Sequence, residues 1–317
     1  MSLKEDILAD LTETEFVSGE DMAEKHYVSR NGIWKAVKQL RDEGYDIEAV
    51  TNKGYRLKMI TNSISSAAIK KNTEADWNYE ILAEVDSTNN YAKELVVKGG
   101  RKNTVVISEC QSGGRGRVGR PFYSPKGNGL YMSVLIYPKL KVEYAPLITS
   151  FTAVAVAKAI EKLTDGSSVN IKWVNDIYMN GRKICGILTE AGFDFEGGSI
   201  DYAVIGIGVN VLGIDFPDEI KNIATSIERE TGKKLSRNEL ASAILNNLNN
   251  LTELIKDKHY LDYYREKSNV IGKKVLVVYG DEKYSAKAIS IDDNAALIVE
   301  TENGLRTLNS GEVSIKI

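Results

Sequence analysis

Four glycines and three arginines share the ten residues from Gln111 to Arg120. Glycines let a backbone approach an anion closely and offer it N–H donors, while guanidinium forks bind carboxylate or phosphate through two parallel hydrogen bonds. Such a loop suits closure over an anionic ligand; taken alone, the same residues fit a solvated surface turn. Gly114-x-Gly116-x-x-Gly119 has the spacing of a dinucleotide fingerprint, but that fingerprint must open a helix. Pro121 and Pro125 follow instead. The fingerprint is excluded.

Further along, Lys172-Trp173-Val174-Asn175-Asp176 precedes Asn180-Gly181-Arg182-Lys183-Ile184-Cys185-Gly186. Asn-Gly predicts a two-residue hairpin turn that pairs Met179 with Arg182 and Tyr178 with Lys183. Strand alternation then puts Asp176, Tyr178, Lys183 and Cys185 on one face, with Asp176 and Lys183 diagonal neighbours about 7–8 Å apart at Cα. A carboxylate there favours the charged form of Lys183. A fixed ammonium near a basic loop suits attack of a carboxylate on a nucleotide α-phosphate, with Lys183 neutralising the attacking carboxylate and the phosphoryl charge. Asp176 or Asn175 then suits placing Mg²⁺ on the triphosphate. Read in isolation, the pair is a surface salt bridge.

These groups need a scaffold. Strands are expected at 80–85 and 105–110 around a helix that begins at Ser87-Thr88-Asn89, and at 130–137. Pro146 opens an apolar helix to residue 163. Strands follow at 171–179, 183–190 and 202–209, then a long helix to about 258 whose capping box is Ser236 with Glu239. The tight turns favour a mixed or antiparallel sheet in an α+β fold over a doubly wound parallel one. Cys110 and Cys185 read as small apolar packers. Gly206-x-Gly208-x-Asn210 ends a strand and precedes a loop at 213–218 that either covers a nucleotide or only connects.

Charge is polarised in the first sixty residues. Residues 1–24 carry a net charge of −7 and residues 25–58 a net +4, so one surface suits an anion. Ser29 reads as the N-cap of a helix at 29–42, with Val28 stapling onto Ile33. Ile33, Ala36, Val37 and Leu40 form its apolar stripe; Asn31, Lys35, Lys38 and Gln39 lie opposite, with Arg30 and Trp34 on the border. Gly44 is the expected left-handed cap. Short strands at 45–50 and 54–58 form a hairpin with Lys53 at its tip. An earlier helix starts at Ser18 and ends near His26. Helix, turn, helix and basic hairpin make a winged helix-turn-helix, with residues 29–42 suited to a major groove and the wing at 50–55 to backbone or minor groove. A helical protein-interaction module fits these residues about as well.

The whole chain sets the bounds. It has 317 residues, 43% hydrophobic and 27% charged, with a net charge of −3. That is an ordinary globular balance for two or three domains, and any nucleic-acid contact must come from a local patch. The N-terminus has neither the basic start nor the apolar run of a signal peptide, and no stretch is long enough to span a bilayer, so a cytoplasmic, membrane-free protein is expected. Two cysteines and two histidines leave little room for a disulfide scaffold, a metal cage or His-based catalysis. Residues 271–317 alternate short β runs, at 273–279, 284–291, 295–299 and 305–317, with turns at Gly280-Asp281, Asp293-Asn294 and Asn303-Gly304, which predicts a small SH3-like barrel.

Asp86-Ser87-Thr88-Asn89, Gln111 with the Gly-Arg loop, Lys172-Trp173-x-Asn175-Asp176, Gly181-Arg182-Lys183-x-x-Gly186-Ile187-Leu188 and Gly206-x-Gly208-x-Asn210 occur in that order. The ordered set resembles the biotin protein ligases and, with the N-terminal module, the bifunctional bacterial ligase–repressors. The resemblance covers essentially the whole chain. Val174 departs from it, standing where the family usually has proline.

The resemblance implies three domains: a winged helix-turn-helix at 1–62, a biotin- and ATP-binding catalytic domain at 63–270, and an SH3-like domain at 271–317. It implies that Ser87, Thr88, Asn89 and Gln111 hold the biotin ring system. Arg115, Gly116 and Arg117 would contact the biotin carboxylate and phosphate, and Lys183 the biotin and the reacting phosphate, so that Lys183, Arg115 and Arg117 carry the catalysis. Arg117, Arg120, Asn175, Asp176 and Asn210 would serve the nucleotide, and Ser29, Arg30, Asn31, Lys35, Lys38 and Lys53 the DNA. The implied reaction joins biotin to a lysine of the biotin carboxyl carrier protein of acetyl-CoA carboxylase or a related carboxylase. It uses Mg·ATP and passes through biotinyl-5′-AMP, which also serves as corepressor for a homodimer on biotin operator DNA. A ligand-sensing regulator without ligase activity, and a lipoate-type ligase on the same fold, are the rival expectations.

Overall fold

The computed structural model describes residues 3–12, 14–42, 45–59, 63–194, 196–279 and 281–315. The expected cap at Gly44 and the first residue of the expected Gly280-Asp281 turn lie outside them. The chain divides into two compact units, Met1–Asp76 with Ser236–Ala243, and Trp77–Leu235 with Ile244–Ile317.

In the first unit, α1 (Leu3–Asp10), α2 (Gly19–Lys25) and α3 (Arg30–Asp42) precede a hairpin of β1 (Asp46–Val50) and β2 (Gly54–Met59), and α4 (Ser66–Lys71) follows. Ser18 caps α2 by accepting from the amides of Glu20 and Asp21, two acids placed where the helix dipole favours them. Ser29 accepts from Gly32 N at 3.2 Å, as its N-cap position requires. The predicted stripe Ile33, Ala36, Val37 and Leu40 is buried against Ile7, Leu8, Leu11 and Met22. Val50 pairs with Gly54, leaving residues 51–53 as the wing turn. Two helices were not expected. The first, α1, adds Ile7 and Leu8 to this core, and α4, capped by Ser65, adds Ala67.

The second unit is built on a seven-stranded sheet. Its strands are β3 (Asn78–Leu82), β4 (Thr104–Ser108), β5 (Gly129–Ile136), β6 (Asn170–Lys172), β7 (Asp176–Met179), β8 (Arg182–Asp194) and β9 (Ser199–Asn210), ordered β3-β4-β5-β9-β8-β7-β6. The β3–β4 pair is parallel and the other pairs are antiparallel, which is the mixed sheet expected. Helix α5 (Thr88–Val97) packs Ala92 onto Val106, Leu135 and Val204. Helix α6 (Ala145–Leu163) has twelve of its nineteen residues buried, which explains why its sequence is apolar without a narrow stripe. After α7 (Ile227–Thr231) comes α8 (Arg237–Leu248), whose residues up to Ala243 belong to the first unit, and then α9 (Leu251–Asp257) and α10 (Tyr260–Glu266). A five-stranded antiparallel sheet ends the chain: β10 (Lys274–Tyr279), β11 (Glu282–Ile291), β12 (Leu297–Thr301), β13 (Gly304–Leu308) and β14 (Glu312–Ile315), ordered β13-β12-β11-β10-β14. It is the small C-terminal β unit that the turn spacing predicts.

Three expected elements break in two. The strand at 171–179 folds back on itself, Lys172 pairing with Asp176, because Trp173-Val174-Asn175 forms a turn. There the Trp173 indole donates to Ala295 O and the Asn175 amide to Ile187 O. The long helix to 258 is interrupted at Asn250, whose φ of 59° no α-helix accommodates. The last strand breaks near Gly311, at a φ of 112°.

Candidate functional site

One cavity of about 480 Å³ in the second unit collects nearly all the chemistry singled out in that part of the sequence. Its polar end is the N-terminus of α5. Ser87 is the N-cap, 3% exposed, yet its hydroxyl makes no capping bond, so it stays available to a ligand. Thr88 N donates to Gln111 Oε1 at 2.9 Å, and Gln111 Nε2 to Ser124 Oγ at 2.9 Å. Ser133 Oγ lies 2.7 Å from Thr88 Oγ1 and 2.6 Å from Asn89 Oδ1. Buried, uncharged and hydrogen-bonded, this end fits a neutral polar ring.

The walls beside it lie outside the motifs. Phe122 and Tyr131 line the cavity with rings 6.5 Å apart, edge to face. The purpose of Gly206-x-Gly208 is now physical. A Cβ at Gly206 would stand 2.3 Å from Asn89 Oδ1, and one at Gly208 2.5 Å from the Phe122 ring. Both glycines exist to let those side chains reach the sheet.

The basic loop turns back on itself rather than opening a helix. Gly116 N donates to Arg120 O at 2.7 Å and Phe122 N to Gly114 O at 2.8 Å, around a tight turn at Arg117–Gly119 in which Val118 is left-handed, at a φ of 54°. Arg115, Gly116, Arg117 and Arg120 all line the cavity. Arg115 donates to Asn90 Oδ1, and Arg117 to Asn175 Oδ1 at 3.3 Å. Asn175 thus spends its amide on Ile187 and Arg117.

Across from the loop, Tyr178 pairs with Lys183 and Met179 with Arg182, as the Asn-Gly turn predicts. Lys183 Nζ sits 2.7 Å from Asp176 Oδ1. That oxygen is buried and has no hydrogen bond of good geometry, so the pairing is chiefly Coulombic. Tyr178 is pushed up to about 12 by burial and by the Asp176 charge, so it stays a neutral phenol. Cys185 departs from the expected face. A bulge between Ile177 and Tyr178 shifts the register, and Gly186, not Cys185, shares the side of Lys183, whose Nζ would meet a Cβ there at 3.1 Å. Cys185 is fully buried, which pushes its thiol up; burial raises the Cys110 thiol too. Both are packers.

Asn210 donates to Thr225 O at 3.0 Å, while its buried Oδ1 has no hydrogen-bond partner. Beside it, Phe216, Ile220, Ile223 and Ala224 form an apolar rim, so the segment after β9 is more than a connector. Lys183 N donates to Ile223 O and Thr225 N to Lys183 O, both at 2.9 Å, which ties this rim to the lysine. Gly311, Val313 and Ser314 of the C-terminal sheet also line the cavity, a contribution no motif announces.

In the first unit, Asn31, Lys35 and Lys38 are exposed along α3, and Lys53 at the wing turn. The Ser29 hydroxyl serves as helix cap, and Arg30 pairs with Glu20. Sequence reasoning set Trp34 on the border; it is half exposed, with Lys38 Nζ 5.6 Å from its ring centre.

Among the described residues no group of three or more His, Cys, Asp or Glu could hold a metal, and no helix is long and apolar enough to cross a membrane.

A cavity with a neutral polar end, a basic middle and an apolar rim, on an α+β sheet next in the chain to a helix-turn-helix, defines a class: ligases that activate a small carboxylic acid with a nucleotide. Known proteins agree. The Biotin/lipoate A/B protein ligase family matches residues 81–210, an HTH domain matches 4–56, and the Biotin protein ligase C terminal domain matches 270–316. The Bifunctional ligase/repressor BirA of Bacillus spizizenii is 34% identical over 95% of this chain and 94% of its own length. Its Escherichia coli counterpart is 30% identical over 98% and 96%. The biotin protein ligase from Aquifex aeolicus, solved with biotin and ATP, superposes with a TM-score of 0.63 at 30% identity, covering 75% of this chain and 98% of that one. The chain belongs to the bifunctional ligase/repressor family of biotin protein ligases.

Proposed function

We propose that the cavity binds biotin and ATP, makes biotinyl-5′-AMP, and transfers the biotinyl group to a lysine of a biotin carboxyl carrier protein. In the first step a biotin carboxylate oxygen attacks the α-phosphorus, the bond to the β-phosphate oxygen breaks, and pyrophosphate leaves. In the second, the carrier lysine attacks the acyl carbon, gives up a proton, and AMP leaves.

The observation that carries this reading is Lys183, fixed by Asp176 at 2.7 Å on the cavity that Arg115, Arg117 and Arg120 also line. Three anionic groups meet in the transition state, and preorganised cations there stabilise the developing charge without reorganisation. Ser87, Thr88, Asn89 and Gln111 hold the ring of biotin. Arg115, Gly116 and Arg117 close over the carboxylate and phosphate. The unpartnered Asn210 oxygen, within the apolar rim, suits the amino group of adenine. One carboxylate, Asp176, fits an Mg²⁺ ion that arrives on the triphosphate, since Mg²⁺ is commonly held by one or two carboxylates plus substrate phosphates. When bound, that ion supplies charge neutralisation to the leaving pyrophosphate.

The division at 1–62, 63–270 and 271–317 accompanies this reading. Asn31, Lys35, Lys38 and Lys53, with Ser29 and Arg30 at the start of α3, form the face that meets operator DNA in a homodimer. Biotinyl-5′-AMP acts as corepressor, and the work is cytoplasmic. Pyrophosphate release tests the enzyme half. It should require biotin and ATP together, and release independent of biotin contradicts the reading.

A further inference from the structure

The side-chain amide of Asn89 is almost wholly committed inside the protein. Its Nδ2 donates to Glu190 Oε2 at 2.8 Å and to Leu188 O at 3.2 Å, and its Oδ1 accepts from the buried Ser133 hydroxyl at 2.6 Å. A carboxylate and a carbonyl can only accept, so the NH₂ end must face β8 and the oxygen must face Ser133. Both N–H groups are then used, and one lone pair of Oδ1 remains for a ligand. Asn89 lines the cavity; Glu190, at the far side of the amide, does not.

Glu190 is itself fixed. Lys93 Nζ lies 2.7 Å from its other oxygen, Oε1. Burial pushes the Glu190 carboxyl up, but hydrogen bonds from Lys93 and Asn89 outweigh this and hold it below the usual carboxylate range. It therefore stays an acceptor at neutral pH.

We propose that Glu190, held by Lys93, is a positioning residue that fixes Asn89 as a hydrogen-bond acceptor toward the substrate ring and so selects a ligand bearing an N–H donor. A cyclic urea carries such donors; a dithiolane does not. The inference rests on the biotin reading above and adds to it the group that sets the polarity of the ring site.

The test is steady-state adenylate formation by full-length protein, with pyrophosphate as readout and circular dichroism as the fold control. Glu190→Ala should raise KM for biotin about tenfold, the loss expected for one hydrogen bond to a charged group, with kcat and KM for ATP within about twofold. Glu190→Gln leaves one oxygen contested by Asn89 and Lys93, so it should be intermediate. Lys93→Met with Glu190→Gln frees that oxygen for Asn89 and should return KM for biotin to near wild type. If the ion pair merely braces α5 against β8, the double variant will be as poor as Glu190→Ala, which overturns the proposal. So does an unchanged KM in folded Glu190→Ala when the wild type is active. A wild type without biotin-dependent turnover removes the underlying reading, and the proposal with it.

Discussion

Replacing Lys183 with alanine separates catalysis from stability. The ammonium sits 2.7 Å from Asp176 with the side chain 31% exposed, a partly screened position. At an effective dielectric near 20, a unit charge about 4 Å from a phosphoryl oxygen contributes roughly 4 kcal/mol. Mutational losses of single oxyanion donors, about 2.7–4 kcal/mol, agree with that scale. Pyrophosphate release at saturating biotin and ATP should therefore fall roughly 10²–10³-fold. The substitution also strands the buried Asp176 oxygen, costing on the order of 1–3 kcal/mol of stability. Adding Asp176→Asn relieves that charge. The double variant should regain stability in urea denaturation while its rate stays low. A folded Lys183→Ala protein within about tenfold of the wild-type rate refutes the charge-stabilising role.

Trypsin should cut after Arg115, Arg117 or Arg120 in the ligand-free protein and much more slowly once biotinyl-5′-AMP is bound; equal cleavage would show that the loop does not close. Lys35→Ala with Lys38→Ala should weaken operator binding and reduce the slope of log affinity against log salt by about 2, leaving pyrophosphate release unchanged. Gel shifts across a salt series read this, and an unaltered slope argues against α3 as the DNA face. Burial pushes the Glu161 carboxyl up, but Lys267 and Tyr263 more than offset it and hold the group below the usual carboxylate range. Its contribution to stability is thus complete above the ordinary value near 4.3 and lost as pH falls through the lowered folded value. Urea midpoints should drop on acidification, and Glu161→Gln should flatten that drop; an identical acid limb would contradict the linkage.

Local chemistry was readable where it repeats within a few residues. The stripe on α3, the cap at Ser29, the Asn-Gly hairpin and the capping position of Ser87 all follow from spacing. Registers and long-range contacts were not. The bulge that turns Cys185 away from Lys183 has no sequence mark, because one extra residue in a strand leaves composition unchanged. The strand at 171–179 looked continuous because its turn, Trp173-Val174-Asn175, is stabilised by Ala295 and Ile187, distant in sequence. Phe122, Tyr131 and Ser133 entered the site for the same reason: only the sheet brings them to Asn89 and Gly208. Gly206 and Gly208, within β9, were the available signal. A glycine pair in a strand marks a close approach, and two side chains make it.

The central claim is that this cavity activates biotin for transfer, and it is tested most directly by mass spectrometry of a carrier domain incubated with the protein, biotin and Mg·ATP. The biotin carrier should gain one biotinyl group on its lysine, the gain should need ATP, and a lipoyl carrier domain should gain nothing. An unmodified biotin carrier, with protein that still binds biotin, would mean a sensor rather than a ligase, and modification of the lipoyl carrier from lipoate would mean that the ring site takes a dithiolane rather than a cyclic urea.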